Sequence, residues 1–168
     1  FFQLFVTMPP FYNSQWHLSK DYIGLVMGAN GLIIVIFEMI IVFSLEKKRY
    51  SYLRYISTGV FMVGLSYLML NITGVNYQWM AIWSMLMVTF GEIISMPFMN
   101  SYWIERTTTQ NRGQYAALYT VAWSTAQIVG PAVCGQIAEH QGYNVLWWVL
   151  GSMCVILCFG FRLLGKRS

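Results

Sequence analysis

Apolar side chains gather along this chain into five long stretches, over residues 22–45, 52–71, 79–103, 114–138 and 143–164. Each approaches the roughly 20 residues that a helix needs to cross the hydrocarbon core of a bilayer. A sixth stretch, 1–12, is too short to span. It closes on Met8-Pro9-Pro10-Phe11-Tyr12 and reads as the outer end of a truncated helix. The chain opens inside that apolar run without an initiator Met or a recognisable signal peptide, as a cut chain does. Turn-forming residues separate the stretches: Asn13-Ser14, Thr73-Gly74, Asn111-Arg112-Gly113 and Gln141-Gly142. The pattern predicts an all-α, integral membrane helix bundle forming one domain.

Composition removes the soluble alternatives. Of 168 residues, 57% are hydrophobic and only 10% charged, against about 25% charged in a soluble domain; the mean hydropathy is +0.53. The net charge of +4 does not indicate nucleic acid, because the basic residues are not on one soluble face but gather at one of the two sets of stretch ends. One set holds Lys47, Lys48, Arg49, Arg54, Arg106, Arg112, Arg162, Lys166 and Arg167, and the other only Lys20. Basic residues favour the cytoplasmic side, which puts the 46–51 and 104–113 loops and the carboxyl terminus inside. Trp16, Tyr22, Tyr77, Trp79, Tyr143, Trp147 and Trp148 then lie near the outer boundary, as an aromatic belt requires. The expected location is the inner (plasma) membrane of a bacterium, with the bilayer as a constant partner.

Cys134, Cys154 and Cys158 sit inside apolar stretches and read as small apolar helix residues. His17 and His140 fall in outer loops and carry no expected chemistry. Asn71-Ile72-Thr73 matches a glycosylation sequon by chance in a bacterial protein. No zinc-protease, nucleophile-elbow or phosphate-loop motif occurs, and the sole Asp is Asp21. Neither an enzyme, a cofactor nor a metal centre is expected.

Ionisable groups inside a bilayer are costly and are functional candidates by default. Two qualify, Glu38 and Glu92. Glu38 continues a stripe of Gly24, Gly28, Gly31 and Val35 on one helical face, and small residues there predict close helix packing. On that reading Glu38 points into the bundle or a water-filled cavity, as a proton- or cation-binding carboxylate or as a packing partner. Glu92 shares a face with Thr89, Ser95, Met96 and Met99, and Pro97 follows. Proline frees a backbone carbonyl one turn earlier and permits a kink. A carboxylate beside adaptable Met side chains suits a lipophilic cation; the alternative is a bond that fixes the bend. Asn30, Asn100 and Gln127 are further deep polar groups, and Trp83, Tyr102, Tyr119 and Trp123 are candidate cavity-lining aromatics.

The segment Gly91-Glu92-Ile93-Ile94-Ser95-Met96-Pro97, followed by Asn111-Arg112-Gly113-Gln114-Tyr115, resembles the tenth helix and following loop of major facilitator superfamily transporters, in particular their drug:proton antiporter branch. Ala126, Gly130-Pro131 and Cys134-Gly135 resemble the eleventh helix and parallel an antiporter motif G-x-x-x-G-P-x-x-G-G, with Ala126 and Cys134 in place of two glycines. Glu46-Lys47-Lys48-Arg49 falls where the family carries a degenerate basic loop. The resemblance implies that the chain is the C-terminal six-helix half of a twelve-helix transporter, from the end of helix seven through helix twelve. It also implies a substrate site between the halves near the midplane, and a missing N-terminal half as partner.

The expected activity is secondary active transport by alternating access, as proton-coupled efflux of small lipophilic compounds. Glu38, Glu92, Asn30, Gln127, Met96 and Trp123 are the pathway candidates, with Gly91, Pro97, Arg112, Gly113, Gly130, Pro131 and Gly135 as structural motif residues. Two other readings stay open: proton-coupled uptake of a sugar or peptide by the same fold, and a membrane scaffold that transports nothing.

Overall fold

Residues 2–47 and 51–165 are described in the computed structural model, so Phe1, Lys48, Arg49, Tyr50, Lys166, Arg167 and Ser168 lie outside the described residues. Part of the basic cluster expected on the inner side falls there. The described residues form helices and no strand: α1 (Gln3–Val6), α2 (Met8–Ser14), α3 (Lys20–Glu46), α4 (Tyr52–Met69), α5 (Tyr77–Glu105), α6 (Arg112–Gln141) and α7 (Tyr143–Gly165). By length and apolarity α3, α5 and α7 are each able to cross a membrane.

Local chemistry explains the ends. Ser19 Oγ accepts from the Tyr22 amide at 3.3 Å and starts α3. Asn76 Oδ1 accepts from the amides of Gln78 (3.0 Å) and Trp79 (3.4 Å) and starts α5. Such side-chain caps satisfy amides that have no partner in the first turn. Gly142, at φ +86°, makes the tight α6–α7 turn in a backbone region that side-chain-bearing residues rarely enter. The first stretch differs from its sequence reading. The helix breaks at Thr7, and Pro9-Pro10 lie in the opening turn of α2, which runs on to Ser14. Proline suits a first turn because no amide bond is lost there.

α4 lies between α5 and α7 at very short range. A Cβ built on Gly59 would sit 2.5 Å from the Gly91 carbonyl oxygen, and one on Gly91 would sit 2.8 Å from that of Gly59. On the α7 side, a Cβ on Gly64 would fall 2.6 Å from Cys154 Cβ. Where lipid tails supply no hydrophobic drive between helices, such small-residue approach and interhelical hydrogen bonds hold them together. Ser66 Oγ donates to the Ser84 carbonyl at 2.9 Å, and Ser57 Oγ to that of Cys158 at 3.1 Å.

An aromatic cluster fills the end of the bundle that carries the α2–α3 and α4–α5 loops. Trp16 stacks on Tyr12 and on Tyr77 with centroids 5.1 Å apart in each case, and Trp147 lies edge-on to Phe11 at 5.1 Å. Trp16 and Trp147 are therefore interior, whereas Trp79 and Trp148 are more than half exposed. The belt residues share one end of the molecule but not one environment.

The α3 stripe departs from expectation. α3 buries Ile23, Val26 and Asn30, the last bonded to Thr89 of α5, while Gly24, Gly28, Gly31 and Val35 are exposed and a Cβ on any of the three glycines would touch nothing within 4 Å. Small residues mark a face that tolerates close approach without saying which surface approaches it. α6 is barely attached: of its described residues, Cys134 alone is buried.

Candidate functional site

Each of three helices contributes residues one turn apart to a common cavity. α3 supplies Ile34 and Glu38, α5 supplies Glu92 and Met96, and α6 supplies Trp123, Gln127 and Pro131. Spacing of i, i+4 puts such residues on one helical face. Phe2 and Phe5 close the cavity, whose volume is about 450 Å³. A second cavity of about 520 Å³ shares Glu38, Met96 and Trp123 and adds Pro97, Asn100 and Tyr119. Glu38 thus stands on the wall common to both.

Glu92 is the more enclosed carboxylate at 7% exposure, and Glu38 is half-buried. No Lys, Arg or His lines either cavity among the described residues. Two carboxyl groups among carbon and sulfur atoms, without a basic neighbour on the wall, form a site that favours protons or cations. Aromatic faces reinforce that preference, since a ring's π-system attracts cations. Trp123 stacks at 6.1 Å on Tyr119, which stacks at 5.8 Å on Trp103, while Phe2 meets Trp123 edge-on at 5.1 Å.

Asn30 stands behind the cavity rather than on it. Its Nδ2 donates to Thr89 Oγ1 at 2.8 Å, and Thr89 Oγ1 donates to the Met85 carbonyl at 2.8 Å. Asn30 is 1% exposed and close enough to act on the Glu92 carboxylate. It ties α3 to α5 one turn from Glu92. Asn30→Ala removes the hydrogen bond that joins α3 to α5 and opens a small void, so a loss of about 1–3 kcal/mol is expected. A fall in the thermal unfolding midpoint, absent in Asn100→Ala because Asn100 is exposed, checks it.

The other singled-out residues scatter. Gly91 faces α4, Pro97 lies on the second cavity and Pro131 on the first. A Cβ on Gly130 would come to 3.5 Å from the Gln3 amide nitrogen, an ordinary contact, while Gly113 and Gly135 face open space. Arg112 is exposed at the start of α6. His140 sits 3.0 Å from the Gln136 carbonyl near the end of α6, and the Asn71 amide is buried without a partner, which leaves no room for a glycan. Phe5 and Ile34 are invisible as cavity residues in the sequence, since nothing distinguishes one apolar residue from another in an apolar run.

The fold defines a polytopic helix bundle with two carboxylates on one cavity wall. The profile of the Major Facilitator Superfamily matches residues 1–168, and the chain belongs to that family. Its helices and its family make it part of an integral membrane protein. Over 167 residues it is 23% identical to a "Na(+), Li(+), K(+)/H(+) antiporter" of Planococcus maritimus, a match covering 96% of this chain and 38% of that protein. The chain therefore spans well under half the length of this curated relative. No solved structure matches.

Proposed function

We propose that the chain is the C-terminal half of a proton-coupled antiporter that expels small lipophilic compounds, cationic ones above all. The observation that carries this reading is the pair Glu38 and Glu92 sharing one cavity walled by Phe, Met, Ile and Trp side chains. A lipophilic cation finds there a countercharge, aromatic faces and adaptable Met96 together. In the proposed cycle the cation and the proton compete for the carboxylates. An unpaired carboxylate in an apolar cavity is costly, so the empty site takes up a proton before it closes. Rocking of two halves about the site then exposes it to each side in turn. Glu38, on the wall shared by both cavities, is the first choice for the exchanged proton. The open faces of α3 and α6 are where the N-terminal half would dock, and the carboxyl terminus would be cytoplasmic in a bacterial plasma membrane.

The relative's name favours a second reading, exchange of alkali cations for protons. A bare alkali ion needs a shell of oxygens in place of its water, and the first cavity offers two carboxyl groups and the Gln127 amide among otherwise apolar residues. That donor set suits a bulky organic cation better. The test uses the full-length protein in inverted vesicles carrying a proton gradient. Tetraphenylphosphonium and related cations are expected to dissipate the gradient, and Glu38→Gln to abolish the response. A response to Na+, Li+ or K+ but to no organic cation would replace the first reading with the second. Silence across the panel would sink both.

A further inference from the structure

We infer that Asn30 and Thr89 are positioning residues for Glu92, holding its carboxyl group in one orientation on the cavity wall through a one-way chain of hydrogen bonds. The inference rests on the proposed role of Glu92 as a cation-binding carboxylate. Met85, Thr89 and Glu92 stand at i, i+4 and i+7 on α5 and so share one helical face. Asn30 reaches that face from α3. Asn30, Met85 and Thr89 are all buried, so their polar groups must satisfy one another rather than water.

The direction of the chain follows from its last member. A carbonyl oxygen only accepts, and the Met85 carbonyl takes the Thr89 hydroxyl hydrogen at 2.8 Å. The Met85 sulfur, at 3.3 Å, draws on the same hydrogen. Thr89 Oγ1 therefore meets Asn30 with a lone pair, and Asn30 meets it with an N–H at 2.8 Å. An amide turned this way carries a second N–H on the same nitrogen. The Glu92 carboxyl lies within hydrogen-bonding reach of Asn30, and the second N–H is offered to one of its oxygens. That oxygen is engaged from α3, and the other is left to the cavity that Glu92 lines. A flipped amide would turn its own carbonyl on the carboxylate and repel it. Thr89 prevents the flip, although it does not itself line the cavity. A carboxylate held in place before the ligand arrives loses less freedom on binding.

Infrared spectroscopy of the purified full-length protein tests the chain without any ligand. The carboxyl band that disappears in Glu92→Gln belongs to Glu92. It is expected to move in Thr89→Val, where the branched shape stays and the hydroxyl goes, and to return in Thr89→Ser. Asn30→Leu, close in size and without a donor, is expected to move the same band, and it carries the test if Thr89→Val does not fold. Binding of tetraphenylphosphonium is expected to weaken about fivefold in Thr89→Val, while a neutral analogue of the same size is unaffected. Added to Glu92→Gln, Thr89→Val should then weaken binding no further, because it acts through Glu92. A band unmoved in Thr89→Val and Asn30→Leu overturns the inference, as does an equal loss of cation affinity with and without Glu92. Either result reduces the chain to a bond that only joins two helices. A band that moves as expected in a protein that binds no cation sinks the antiporter reading and leaves the positioning of Glu92 standing.

Discussion

Gly91→Leu is expected to prevent α4 and α5 from packing and to leave no folded protein to purify. A Cβ at 91 would lie 2.8 Å from the Gly59 carbonyl oxygen and 2.7 Å from Val63 Cγ2. A side-chain tip can swing aside, but a carbonyl oxygen moves only with its helix. α4 would have to withdraw, and the Ser66–Ser84 bond would go with it. Ordinary overpacking of a core costs about 1–3 kcal/mol. Contact against backbone, multiplied by three further side-chain carbons, exceeds that and approaches the whole stability of a domain, roughly 5–15 kcal/mol. Gly91→Ala supplies a graded version that should still fold with a lowered unfolding midpoint. Gly160→Leu is the control, since a Cβ there meets nothing within 4 Å. The two leucine variants are compared by thermal unfolding in detergent. Equal midpoints would show that the α4–α5 approach is not as close as described.

The double variant Glu38→Gln/Glu92→Gln is expected to weaken binding of tetraphenylphosphonium by about a hundredfold or more, while binding of a neutral analogue of the same size hardly changes. Interactions with charged groups contribute about 1.5–3 kcal/mol each, and the cavity brings two carboxyls to one ligand with no basic side chain on its wall among the described residues. Glutamine keeps the shape of a protonated carboxyl and removes only the option of ionising. Equilibrium binding to the purified full-length protein separates this effect from transport. Non-additivity between the single variants is also expected, because the two groups line the same space. If the neutral analogue loses as much affinity as the cation, the carboxyls act by shaping the cavity and the electrostatic account fails.

Several features of the cavity are legible in the amino-acid sequence alone. An ionisable residue inside an apolar run is conspicuous, so Glu38 and Glu92 stand out at once, and helical spacing links Met96 to Glu92. Gln127 and Trp123 stand out for polarity and size. Their meeting on one cavity depends on helix order and rotation, which the spacing within a single helix does not contain. The α3 glycines show the same limit from the other side: their spacing is correct for a packing face, yet Asn30 on a different face makes the contact with α5. Trp16 and Trp79 are one residue type at one end of the bundle, but the first is stacked inside and the second is 63% exposed. Interfacial preference names a depth, not a direction. The break at Thr7 is hidden because Pro9-Pro10 suits the start of a helix as well as its finish.

The weak attachment of α6 bears on how the protein is made. α6 carries Gln114, Thr120, Ser124, Thr125, Gln127 and Gln136, and unlike α3, α5 and α7 it does not reach the apolarity that marks a helix able to cross unaided. A segment leaving the ribosome partitions into lipid according to its own transfer free energy, so α6 has little reason to leave the protein-conducting channel by itself. α7 follows after the single residue Gly142 and is strongly apolar. The two are therefore expected to enter the bilayer as a hairpin, with α6 held at the channel until α7 is complete. A fragment carrying α6 alone should be extractable from membranes by alkali, and a fragment carrying α6 together with α7 should not.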